Sequence, residues 1–88
     1  MEHITTAGNI EIPAYLALLR EGCRVGRRKQ PDGGELWVAQ RDDLRVTGGS
    51  PLEILGLYCM RKQRGQNWKA EDSEIEAFMK RFYPERRQ

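Results

Sequence analysis

Few side chains in this sequence could do chemistry, and their spacing limits what they can do. His3 is the single histidine and stands at an end expected to be mobile, a poor place for a catalytic base. The two cysteines, Cys23 and Cys59, lie far apart in apolar surroundings. A reactive thiol needs an accessible, electropositive setting. Cys23 has Arg24 beside it, but alternation with Val25 turns it inward, and Cys59 sits in the most apolar segment of all. Both are expected to be buried, reduced thiols, the usage of a cytosolic protein. Asp42-Asp43 has the form of a turn, and Glu71, Asp72, Glu74 and Glu76 that of a helix start, where acidic groups suit the helix dipole. No cluster supplies enough ligands for a metal. Gly33-Gly34 and Gly48-Gly49 lack the spacing of a phosphate-cradling loop. Only Gly48-Gly49-Ser50, just ahead of a helix amino end, offers a faint anion site. No catalytic constellation is complete and no cofactor is implied, so the chain reads as a non-enzyme.

Charge placement says more. Residues 24–29 hold Arg24, Arg27, Arg28 and Lys29, and residues 61–69 hold Arg61, Lys62, Arg64 and Lys69 beside Trp68, with no acid in either run. Basic groups interleaved with aromatics suit single-stranded nucleic acid. The bland alternatives are a solvated strand face and a helix C-terminus that attracts cations. With 15 basic against 13 acidic residues the net charge is only +2, which does not demand a nucleic-acid partner.

The elements that must position these groups follow from periodicity and turn chemistry. Pro13 suits a first helical turn, and Ile12, Tyr15, Leu16 and Leu19 recur on one face with Leu18 widening it. Gly22 ends that helix, which spans about 12 to 21. Cys23 to Lys29 and Glu35 to Arg41 form a hairpin around Pro31-Asp32-Gly33-Gly34, and Leu44 to Thr47 adds a third short strand. Ile4-Thr5-Thr6 has the β-branched character of another. Ser50-Pro51-Leu52-Glu53 is a helix start with a capping box. Its helix is apolar on all sides through Met60 and so is expected to be central and buried, with Gly56 marking a close backbone approach. Arg61, Lys62, Arg64 and Gly65 end it. A last helix carries Ile75, Phe78, Met79 and Phe82 as its buried stripe until Pro84 stops it.

The hairpin decides which residues share a face. With Asp32 and Gly33 as a two-residue loop, Arg28 stands opposite Trp37, Gly26 opposite Ala39 and Arg24 opposite Arg41. Helices over the Leu36/Val38 face then leave Arg24, Arg28, Trp37 and Arg41 together on the open one, a composition typical of binding hot spots. Burial of Trp37 under the helices is the competing reading, since a slip of one residue flips every side chain.

Eighty-eight residues, 39% hydrophobic and 32% charged, support a single domain, 1–88, with a modest core. No apolar run is long enough for a membrane span and no secretory signal opens the chain, so a cytoplasmic location is expected. The fold class is α+β: three helices on one face of a small antiparallel sheet of two to three strands, in the order α-β-β-(β)-α-α. Leu55, Leu57 and Tyr58 are expected to anchor the core, with Leu16, Leu19, Val38, Phe78 and Phe82 around them. The function this points to is a non-enzymatic binding module acting through a protein partner, an acidic one by preference: a regulator or an immunity-type inhibitor. Nucleic-acid binding through 24–29 and 61–69 is the second reading, and a small enzyme or small-molecule binder the third.

Overall fold

Three strands, β1 (Arg24–Lys29), β2 (Glu35–Arg41) and β3 (Leu44–Gly48), form one antiparallel sheet in sequence order. The computed structural model describes residues 1–86. Helix α1 (Glu11–Arg20) precedes the sheet, and α2 (Pro51–Arg64), α3 (Asp72–Phe82) and a short 3-10 turn (Pro84–Arg86) follow it. The small α+β domain in the order α-β-β-β-α-α is therefore established, with β2 in the middle.

Register is set by Pro31. A two-residue Asp32-Gly33 loop would need the Pro31 N–H to bond Gly34, and proline has none. The loop is three residues instead: Gln30 donates to the Gly34 carbonyl at 2.8 Å, and Gly33 donates to Gln30 at 3.0 Å. Gly33, at φ +91°, takes the left-handed position that closes such a turn. Pairing is thus displaced by one residue from the expected count. Arg27 faces Trp37, Gly26 faces Val38, Val25 faces Ala39 and Arg24 faces Gln40. Across the other ladder Ala39 meets Val46. Val25, Ala39 and Val46 thereby form one apolar row, and the helices cover that face.

Leu18 from α1 and Ile54 from α2, both 0% exposed, complete the core with Cys23 and Tyr58, and Val25, Trp37, Leu44, Leu55 and Leu57 pack partly against it. The α1 face turned inward carries Ala14 and Leu18; of the expected apolar face, Leu18 is buried and Ile12, Tyr15, Leu16 and Leu19 are not. Small Ala14 lets the helix lie close, whereas the bulkier Ile12/Tyr15/Leu16/Leu19 face would hold it off. That stripe points outward, with Ile12 57% and Leu16 50% exposed.

Helix α2 starts as its sequence says. Ser50 Oγ accepts from the Glu53 amide at 3.1 Å, and Glu53 reaches back to accept from the Gly49 amide at 2.7 Å. A side chain at Gly48 would meet Glu53 Oε1 at 2.6 Å and Ile54 at 3.1 Å, so it would push the Glu53 carboxylate from its place at the helix start. The helix is buried on one side only: Pro51, Ile54 and Tyr58 are buried, while Leu52, Cys59 and Met60 are exposed. Two expectations are corrected. Cys59 is on the surface, and a methyl group at Gly56 would meet nothing within 4 Å, so no backbone approaches it.

The largest departure is α3, which does not pack on the sheet. None of its residues is buried, and Phe78 and Phe82 are 54% and 58% exposed. The face it would have covered is already taken by α1 and α2. A 2.6 Å salt bridge from Arg64 to Glu74 ties its first turn to the end of α2. The radius of gyration, 16.2 Å, exceeds the roughly 12 Å of a compact domain this long, as a projecting helix requires. Val38 lies on the sheet face away from the helices, outside the core. Residues 4–6 form no strand: Ile4 is exposed and finds nothing to bury.

Two outcomes follow. Ile54→Ala should cost about 2–5 kcal/mol in chemical denaturation, whereas Gly56→Ala should stabilise by about 0.5–1 kcal/mol. In native thiol labelling one equivalent should react fast, at Cys59, and the second, at Cys23, only on unfolding. Burial also pushes the Cys23 thiol pKa up, which slows it further.

Candidate functional site

The slip in the hairpin separates the four residues expected to act together. Arg24 and Arg28 stand on the open sheet face with Gln40 and Arg45, around Leu36 and Val38. Trp37 and Arg41, at odd positions of β2 with Ala39, lie on the helix face. They are also at opposite ends of it, and each has a different setting.

Arg41 belongs to a polar network at the sheet end near Cys23. Its guanidinium donates to the Tyr58 hydroxyl at 3.0 Å, Tyr58 donates to Glu21 at 3.4 Å, and Lys62 bonds the same Glu21 oxygen at 2.7 Å. Lys62 holds the Glu21 carboxyl below its usual pKa, first through the hydrogen bond and then through its charge. Glu21 in turn raises the Lys62 pKa. Tyr58 is buried, so its hydroxyl needs these partners. Arg41 is committed to holding α1, the sheet and α2 together.

Trp37 lines an open groove of about 490 Å³ between α1, the start of β2 and the start of α2. Ile12, Tyr15 and Pro51 supply its apolar walls, and Glu11 and Glu35 stand on its rim, Glu35 paired with Arg27 at 2.9 Å. Ile12 and Tyr15 also belong to the outward stripe of α1, so groove and stripe form one continuous apolar surface with Leu16 and Leu19. This surface is the candidate site. From sequence, the α1 stripe is expected in the core and Trp37 on the open sheet face; the structure joins them instead on one outer surface. Two apolar faces on one short helix, one with alanines and one with large side chains, were the signal that could have exposed it.

The other candidates are occupied or dispersed. At the amino end of α2, Glu53 accepts from Gly49, Ser50 from Glu53, and Glu11 from the Leu52 amide at 2.7 Å. The amides an anion would use are already bonded, so Gly48-Gly49-Ser50 offers no anion site. Of the second basic segment, Lys62 is paired with Glu21, Arg64 with Glu74, and Lys69 lies over the Trp68 ring. It borders β3 through Arg61 and Trp68, whereas residues 24–29 form β1 at the opposite sheet edge. Among the described residues no three His, Cys, Asp or Glu side chains could hold a metal ion together, and no helix is long and apolar enough to cross a membrane.

No family model matches the chain, and no curated protein or solved structure matches it either. The functional reading therefore rests on the geometry above.

The Glu21 network makes a pH prediction. A carboxylate whose folded pKa is lowered takes up its proton at higher pH in the unfolded chain, so its contribution is present above the carboxylate range and lost as pH falls through it. Thermal melts of the native chain should therefore weaken on acidification below about pH 5. Glu21→Gln should melt lower at neutral pH and show a shallower acid limb.

Proposed function

We propose that this chain is a non-enzymatic binding module that acts through a protein partner, which it grips with the outer face of α1 and the adjoining groove. The observation that carries the reading is the outward stripe Ile12, Tyr15, Leu16 and Leu19, joined to Trp37 in the groove. Contiguous apolar surface of this kind marks protein contact sites on soluble proteins. Tyrosine and tryptophan within it are the side chains that most often anchor such contacts. Arg24, Arg28 and Arg45 on the open sheet face carry one sign of charge and lie apart from this anchor. The two free cysteines support a reducing compartment such as the cytoplasm. Nucleic-acid binding is less well supported, because the two basic segments sit at opposite sheet edges and the second is partly neutralised.

A photo-crosslinking amino acid placed at Leu16 in living cells should give a discrete protein adduct, while the same probe at Asp32, in the hairpin loop, should give none. Retention on heparin or oligonucleotide should be weak and vanish at physiological salt. Absence of any Leu16 adduct, together with salt-resistant oligonucleotide binding, would replace this reading with the nucleic-acid one.

A further inference from the structure

We propose that the protein partner is a second copy of this chain, and that in the dimer each α3 lies antiparallel along the α1 of the other copy. The proposal rests on the binding-module reading and names its occupant.

The chain presents two unpartnered apolar faces that match. One is the α1 stripe with the groove; the other is the α3 stripe of Ile75, Phe78 and Phe82. From Ile12 to Leu19 and from Ile75 to Phe82 each stripe spans seven residue rises, about 10–11 Å, so the two match in length. On α3 the Phe78 and Phe82 rings already pack together at 5.1 Å between centroids, giving one rigid aromatic anchor. The groove beside Trp37 has space for a ring of that size.

Charge fixes the direction. The first turn of α3 is acidic, with Asp72 and Glu74, and its last turn is basic, with Lys80 and Arg81. Along the α1 surface the order is also acid to base: Glu11 and Glu35 rim the groove at one end, and Arg20 closes the other. The antiparallel orientation sets Lys80 and Arg81 beside Glu11, one oxygen of which accepts from the Leu52 amide, and beside Glu35, which already pairs with Arg27 at 2.9 Å, and it sets Asp72 beside Arg20. Phe82 is then delivered to the groove between opposite charges.

Symmetry and area agree. Exchanging the two arms about a two-fold axis satisfies both faces of both copies and leaves nothing open for further growth. With both stripes about half exposed, two such contacts would bury on the order of 1,600 Å² in total, the size of a standard stable interface. A helix with no buried residue, held out from the body by Arg64 and Glu74, is what an exchanged arm looks like in one protomer.

Sedimentation equilibrium of the full chain at micromolar concentration should give twice the 10.2 kDa monomer mass. The double variant Phe78→Glu/Phe82→Glu should sediment as a monomer with unchanged circular dichroism, because neither ring supports the core. Leu16→Glu should do the same, with Ile12→Glu as the replacement should that variant unfold. Mixing the two monomeric variants should restore a one-to-one complex, since one retains α3 and the other the α1 surface. A dimer that survives the α3 substitutions would overturn the arrangement. So would a monomeric wild-type chain, including one whose own α3 folds back on α1. A monomeric chain whose Leu16 adduct contains a different protein would overturn the dimer and leave the binding module standing. A monomer with no adduct would remove both.

Discussion

Leu18 and Ile54 share one buried cluster above Ala39, and they are the only large side chains among the described residues that lose all contact with water. Their seat is shallow. The row beneath them, Val25, Ala39 and Val46, is built from small and β-branched residues, so two helices can approach the sheet and a third finds no place. Every apolar side chain beyond that capacity is turned outward. The surface described as a site is a direct result of how little core a three-stranded sheet of this length can seat.

The sequence was most legible where a residue constrains its own backbone. Ser50-Pro51-Leu52-Glu53 starts a helix, Gly22 ends one at φ +90°, and Pro84 follows the last residue of α3 by two. It was least legible where the outcome depends on what lies across. Periodicity identified the Ile12/Tyr15/Leu16/Leu19 face as apolar, but it carries no information on which of two apolar faces meets a partner. Packing chose the smaller one. The hairpin shows the same limit in another form: Asp32-Gly33 signalled a turn, and the missing N–H of Pro31 moved the register by one residue. That single residue decided which side Trp37 occupies and dispersed the arginine cluster expected around it.

The two faces of the sheet consequently have different characters. On the helix side, Arg41 is drawn into bonds with Tyr58, and Trp37 bridges the core and the groove. On the open side, Arg24, Arg28 and Arg45 surround Leu36 and Val38 with solvated charge. Long arginine stems over apolar side chains shield a sheet face that no helix covers. The core and the groove therefore share the helix-side face of β2, with Ala39 and Arg41 toward one end and Trp37 at the other.

One bond links the beginning of this architecture to its completion. The Leu52 amide, in the first turn of α2, is held by a carboxylate oxygen of Glu11, 41 residues earlier in the chain. A helix normally finishes its amino end with a neighbouring side chain; here part of that task falls to the helix packed beside it, which precedes the whole sheet in sequence. Closing so long a loop costs more chain entropy than closing the local hairpins. The first turn of α2 and the first turn of α1 should accordingly order and fray as one cooperative unit. Hydrogen exchange at the Leu52 amide would then serve as a clock for the docking of a segment it never touches in sequence.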